Sequence, residues 1–191
     1  MVLIDSFKGS MTSMEAGNAA RDGVLRVYPH ANVTVRPLAD GGEGTTDALI
    51  EGLGGRKVEL SVTGPMGSWV KAYYGILADE KTVVMEMAQA AGITLVEEAQ
   101  RNPGKATTYG VGEMIRDAVS RGYRKFIIGI GGSATNDGGI GMLRALGVKF
   151  LTKDGEEAGE GADALGKIHF VSLEHLMPEL KECDFQIACD V

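Results

Sequence analysis

Four aspartates stand at or just beyond the ends of strand-like runs. Asp5 follows the apolar run Val2 to Ile4, Asp40 follows the run to Leu38, Asp137 lies in the loop after Phe126 to Ile130, and Asp190 follows Phe185 to Cys189. Ligands of open α/β sheets bind beyond the carboxyl ends of the strands, so these are the positions where chemistry is expected. Carboxylates gathered there supply hard oxygen ligands for magnesium and a proton acceptor for a hydroxyl nucleophile. Aspartate also caps helices and fills turns without any catalytic duty, but four at equivalent places point to a site.

Two of these aspartates sit in glycine-rich loops. Asp40-Gly41-Gly42-Glu43-Gly44 and Gly131-Gly132-Ser133-Ala134-Thr135-Asn136-Asp137-Gly138-Gly139 space their glycines closely enough for the backbone to turn N–H groups toward an anion. The helix after each loop adds a favourable dipole at its N-terminus. Lys8 and the hydroxyls of Ser6, Ser10, Ser133 and Thr135, with Asn136 beside them, supply further donors for phosphate oxygens. Glu43, Glu86 and Arg101 are the candidates for holding a substrate. Glu86 is a charge set among Met85, Met87 and Ala88, either a site residue or a paired structural carboxylate. Arg101 offers a bidentate fork for a carboxylate or anchors its own loop.

Known nucleotide signatures narrow the choice. No G-x-x-x-x-G-K-[ST] string occurs, which excludes a Walker-type loop. Gly129, Gly131 and Ala134 do satisfy the dinucleotide fingerprint, and Asp154 lies 20 residues beyond Ala134, where a ribose-binding acid belongs. An NAD(P)-dependent oxidoreductase is therefore the alternative. Against it, Gly138, Gly139 and Gly141 would fall inside the helix that the fingerprint requires, each at a cost of up to about 1 kcal/mol relative to alanine.

The elements that must position these residues follow from periodicity. A helix is expected from Thr12 to Tyr28, opened by a Thr12/Glu15 capping box. Val33 to Leu38 reads as a strand and Thr45 to Leu53 as a helix. Alternating Val58, Leu60 and Val62, then Trp69 to Leu77 and Thr82 to Met87, read as a β-meander turning at Gly64-Pro65 and Asp79-Glu80. Val111, Met114, Ile115, Ala118 and Val119 form one helical face ending at Gly122. Strands are expected at Phe126 to Ile130, Val148 to Leu151 and Phe185 to Cys189, with helices to Leu146 and near Ser172 to Met177. The fold class is α/β: a Rossmann-like or flavodoxin-like parallel sheet with helices, plus a β-meander belonging to a second, mixed lobe. The segments are 1–56 (first α/β lobe), 57–99 (meander) and 100–191 (α/β with the long glycine loop).

Composition excludes several classes. The chain has 191 residues and a net charge of -7, which leaves no basic footprint for nucleic acid or an anionic membrane. No apolar run approaches the roughly 20 residues of a membrane span. Two cysteines, Cys183 and Cys189, form neither a metal motif nor a disulfide framework and fit a reducing cytoplasm. His30, His169 and His175 lie outside the loops and read as structural. A soluble, cytoplasmic protein is expected, with a homodimer possible.

Several segments resemble, in order, the motifs of the bacterial type I glycerate kinase family. They are Asp5-Ser6-Phe7-Lys8-Gly9-Ser10, Ala39 to Gly44, Thr63-Gly64-Pro65-Met66-Gly67, Met85 to Ala88, Arg101-Asn102-Pro103, Thr108-Tyr109-Gly110 and Gly131 to Gly139. The resemblance spans nearly the whole chain and matches the family's N-terminal half. It implies ATP-dependent phosphorylation of D-glycerate with magnesium, usually to 2-phosphoglycerate, on a two-domain α/β fold.

In that scheme Lys8 and the glycine loops hold ATP phosphates. Asp40, Asp137 or Asp190 binds magnesium, and Asp5 or Asp40 orients the glycerate hydroxyl and takes its proton. Family members usually carry an Ala-Pro pair where Ile4 here directly precedes Asp5. They are also longer, so a continuation beyond Val191 is expected. A non-catalytic fragment is the further alternative.

Overall fold

The computed structural model describes residues 1–7, 10–38 and 41–189. Lys8, Asp40 and Asp190, three of the candidate site residues, therefore lie outside the described residues, as do Gly9, Ala39 and Val191.

The chain opens with β1 (Val2–Ile4), α1 (Ser13–Val27) and β2 (Val35–Pro37), a right-sized crossover unit whose strands pair in parallel. The expected capping box starts α1. The Thr12 hydroxyl accepts the Glu15 N–H at 3.2 Å, and the Glu15 carboxylate accepts the Thr12 N–H at 2.8 Å. After α2 (Thr45–Leu53) comes a five-stranded mixed sheet. It is built from β3 (Gly55–Thr63), β4 (Trp69–Leu77), β5 (Thr82–Glu86), β6 (Lys125–Gly129) and β9 (Asp184–Ala188), in that spatial order. The first three strands are antiparallel, and β5, β6 and β9 are parallel.

The meander thus runs directly into the parallel strands as one sheet, with β5 as the hinge between the two styles. Its alternation has the expected purpose. Val58, Leu60 and Val62 point toward α4 (Tyr109–Ser120), whose Val111, Met114, Ile115, Ala118 and Val119 close the core over Tyr74, Ile76, Met85 and Phe126. Burying a side chain such as Ile115 or Phe126 stabilises by about 1.5–3 kcal/mol, so this α4 face holds the sheet's centre together.

The expected strand near Val148 to Leu151 is present as β7 (Lys149–Leu151), which pairs antiparallel with β8 (Phe170–Ser172) apart from the main sheet. One expectation needs correction. The helix expected near Ser172 to Met177 is instead the end of β8 followed by a turn. Leu173, Leu176 and Met177 mimic helical spacing, but Pro178 disfavours helical geometry at Met177, whose N–H donates to the Leu146 carbonyl at 3.0 Å instead.

Candidate functional site

The three parallel strands end together. Glu86, Gly129 and Ala188 occupy one register line across β5, β6 and β9, so the segments that leave these strands start from a common edge. The Gly41–Gly44 loop is laid across that edge. Gly131 N–H donates to the Gly41 carbonyl at 3.0 Å, and a Cβ built on Gly131 would stand 2.6 Å from Gly42 Cα. A Cβ on Gly129 would stand 2.4 Å from the Gly41 carbonyl oxygen. Glycine is required at these positions because two backbones touch. The structure thereby brings together two of the three segments singled out from sequence.

Glu86 fixes the far end of the same loop. It is buried, and its two carboxylate oxygens accept the Gly44 N–H at 3.1 Å and the Thr46 N–H at 2.5 Å. These are the amides of the N-cap and of the second residue of α2, so a carboxylate remote in sequence caps that helix. Burial pushes the Glu86 carboxyl above its usual range, with the Thr46 and Gly44 amides opposing the shift. Of the two roles open to Glu86 in the sequence, the paired structural carboxylate is the one these contacts describe. The N-terminus of α2 is consequently taken by an internal anion.

The second loop carries its own acid. Asp137 is buried, and its Oδ2 accepts the Thr108 N–H and hydroxyl, both at 2.9 Å, and the Gly141 N–H at 3.2 Å, while Oδ1 accepts the Gly139 N–H at 3.0 Å. One carboxylate therefore joins the start of α5 (Ile140–Ala145) to the start of α4. Thr108 completes the knot by accepting the Met142 N–H at 2.9 Å. The Ser133 hydroxyl lies 2.7 Å from that of Thr135 and accepts the Thr135 N–H at 2.9 Å. Ala134 N–H donates to the Ala91 carbonyl in α3 (Ala88–Ala91) at 2.8 Å. Between these anchors, the N–H groups of Gly132, Ser133, Asn136 and Gly138 make no internal hydrogen bond among the described residues. Gly132 and Gly138 are half-turned into the left-handed region, at φ +72° and +61°.

At the smaller sheet, Asp5 is exposed just past β1, and its Oδ1 accepts the Ser6 N–H at 2.7 Å. Phe7 N–H donates to the Met11 carbonyl at 2.9 Å and the exposed Ser10 donates its N–H to the Phe7 carbonyl at 2.8 Å, so Phe7 is tied to both Ser10 and Met11. Glu43 is exposed at the crest of its loop. Arg101 is exposed too, and its only side-chain bond among the described residues is a long one, 3.4 Å, to the Val96 carbonyl.

The dinucleotide alternative does not survive the geometry. Residues 131–139 are irregular and the helix begins only at Ile140, so no helix N-terminus follows the Gly129-to-Ala134 turn. Asp154 is exposed in a turn after β7, a strand outside the parallel sheet, and so cannot stand at the neighbouring strand end that a ribose would require.

For magnesium, no group of three or more acidic, histidine or cysteine side chains among the described residues is arranged to hold a metal ion. Asp137 has already committed its oxygens to four donors. Two residues that matter here are not among the candidate site residues, although Thr108 falls within one of the resembling segments. Thr108 is half of the Asp137 knot, and Ser13 joins the ends of β1 and β2. Both are small hydroxyl residues at helix starts, where capping is the ordinary explanation and no pattern distinguishes a wider task.

Comparison with known proteins places this architecture. The profile of the glycerate kinase family matches residues 1–191. A glycerate kinase of Halalkalibacterium halodurans is 44% identical over 187 residues, covering 98% of this chain and 49% of that protein. A glycerate 2-kinase of Escherichia coli is 43% identical over 98% of this chain and 49% of its own length. In a crystal structure of a glycerate kinase 2 from Salmonella typhimurium, the match has a TM-score of 0.86 at 42% identity, over 99% of this chain and 50% of that one. The chain spans about half the length of the relatives it matches.

Proposed function

The chain belongs to the glycerate kinase family, and from that premise we propose that it serves the ATP-dependent phosphorylation of D-glycerate, with 2-phosphoglycerate the favoured product. The observation that carries the proposal is the 131–139 loop. Its open amides at Gly132, Ser133, Asn136 and Gly138 leave a strand edge where the competing helix N-termini are already capped by Glu86 and Asp137. Amides held in place before the ligand arrives stabilise phosphate charge without reorganising.

In this scheme those amides, with Lys8, Ser6 and Ser10, hold the phosphate oxygens of ATP, and Glu43 and Arg101 face glycerate, Arg101 toward its carboxylate. Asp5 or Asp40 orients the glycerate hydroxyl and accepts its proton as the oxygen bonds to the γ-phosphorus and the bond to ADP breaks. Phosphoryl transfer needs chiefly positioning and charge neutralisation, which this inventory supplies. When bound, magnesium neutralises charge on the transferring phosphates. Among the described residues no ready cage exists for it, so that part of the proposal rests on Asp40 and Asp190. A cytoplasmic location belongs to the same proposal; no described helix is long and apolar enough to cross a membrane.

The test is phosphorus NMR of the chain incubated with ATP, magnesium and D-glycerate. A phosphoglycerate resonance that depends on both glycerate and the chain is expected. Calorimetric binding of NADH but not of ATP with magnesium would sink the kinase assignment.

A further inference from the structure

Glu43 stands between two peptide groups that are each held by a buried partner. On its N-terminal side, the Gly42 carbonyl accepts the Thr45 hydroxyl at 2.8 Å and the Thr45 N–H at 3.3 Å, and Thr45 is buried as the first residue of α2. On its C-terminal side, the Gly44 N–H donates to the buried Glu86 carboxylate at 3.1 Å. A peptide group is planar, so fixing the planes before and after a residue fixes its φ and ψ, and with them the direction of its Cα–Cβ bond. The same loop is seated on the sheet edge. Gly131 N–H donates to the Gly41 carbonyl, and a Cβ on Gly41 would stand 2.5 Å from the Ala188 carbonyl oxygen at the end of β9.

The Glu43 side chain is exposed and makes no hydrogen bond or ion pair among the described residues. Glu86 and Asp137, the other two acids at this edge, have spent their oxygens on amides. Glu43 therefore offers free acceptors on a backbone that is held still. An ionised carboxylate can only accept, so its partner is a donor such as the hydroxyls of a hydroxy acid, and not the phosphate oxygens of ATP, which it repels. We propose that Glu86 and Thr45 are positioning residues that hold the peptides on either side of Glu43 and so aim its carboxylate at the hydroxyls of glycerate. The choice of substrate rests on the glycerate kinase reading above; the fixing of Glu43 does not.

Glu86→Gln keeps the shape of the side chain but leaves one acceptor oxygen. The shorter bond to Thr46 keeps that oxygen, and the amide end is left facing the Gly44 N–H, donor against donor, so the Glu43–Gly44 peptide turns. Thr45→Val takes the hydroxyl from the Gly42 carbonyl and frees the Gly42–Glu43 peptide. The first measurement is the residual dipolar coupling of the Glu43 and Gly44 N–H vectors relative to those of β5. Glu86→Gln is expected to turn the Gly44 vector, Thr45→Val to turn the Glu43 vector, and Glu43→Ala to turn neither. The second is steady-state phosphorylation. Glu43→Ala should raise the KM for glycerate about 10-fold, the scale of one hydrogen bond to a charged group. Glu86→Gln should reach a similar level and Thr45→Val a lower one, with the KM for ATP little changed in all three. The Glu43→Ala/Glu86→Gln double variant should lose no more than Glu43→Ala alone, an outcome that a merely structural Glu86 does not produce.

Unmoved vectors at Gly44 in Glu86→Gln and at Glu43 in Thr45→Val overturn the fixing of Glu43. A wild-type glycerate KM in Glu43→Ala or in Glu86→Gln, or losses that multiply in the double variant, overturns its use in holding substrate. Should Glu86→Gln fail to fold, Thr45→Val decides both points by the same two measurements. If the wild-type chain makes no phosphoglycerate, the kinase reading fails, and the couplings alone still decide for or against the fixed carboxylate.

Discussion

The two glycine-rich loops share left-handed glycines, Gly41 and Gly44 in one and Gly132, Gly138 and Gly139 in the other, but differ in the source of their capping acid. The 41–44 loop packs backbone to backbone, Gly42 on Gly131 and Gly41 on Gly129, and Glu86 from β5 reaches over to cap α2. In the 131–139 loop the capping acid, Asp137, belongs to the loop itself. The first loop is pinned at one end by its packing on Gly129 and Gly131 and at the other by Glu86. The second is tied only at its anchors and leaves amides open between them. A glycine-rich segment beside an aspartate is thus no guide to phosphate binding until the destination of each N–H is known.

The sharpest way to break this contrast is at the buried acids. Asp137→Ala strands four donors in the interior and should destabilise the chain by about 3–4 kcal/mol, since each unsatisfied buried group costs about 1–3 kcal/mol before relaxation. A urea midpoint within error of the wild type would show that the knot is not holding α4 and α5.

Next in size is Gly131→Ala, which drives a methyl into the Gly42 backbone and should cost about 2–3 kcal/mol by overpacking. Gly138→Ala meets only a leucine side chain at 3.6 Å, and its penalty should be the smaller conformational one of about 1 kcal/mol. Equal losses at the two glycines would erase the distinction between touching and turning.

The smallest effect concerns pH. The folded carboxyl of Glu86 titrates above its unfolded value of 4.5, chiefly because it is buried. In that window the folded chain binds more protons than the unfolded one, so this group's stabilisation is full below pH 4.5 and is lost as pH rises through the folded pKa. Glu86→Gln lacks the titration. Its deficit, about 1 kcal/mol from losing one acceptor, should be larger near pH 5 than near pH 8 in parallel unfolding series. A deficit that grows with pH would mean that the shift runs the other way.

Much of the fold is legible in the residues. The Thr12/Glu15 box, the alternation through Val58, Leu60 and Val62, and the helical face from Val111 to Val119 each specify their element locally. What is not legible is long-range. Nothing in Met85-Glu86-Met87 says that its carboxylate will cap a helix 40 residues earlier, because the partner amides are backbone and carry no sequence signature.

The same holds for Ser13, whose hydroxyl looks like any residue in a helix's first turn. Leu173, Leu176 and Met177 mislead in the other direction, since their apolar spacing imitates a helix where Pro178 disfavours one. At the site, the glycine loops and their aspartates were visible as a group. Which amides are spent on Glu86 and Asp137 and which are open depends on tertiary contacts alone.

The most direct test is an amide-resolved NMR titration of the chain with ATP and magnesium. The largest shifts are predicted at Gly132, Ser133, Asn136 and Gly138, with Gly44 and Thr46 nearly unmoved because Glu86 already holds them. Dominant shifts at Gly44 and Thr46, with the 132–138 amides silent, would contradict the assignment of the phosphates to the open loop.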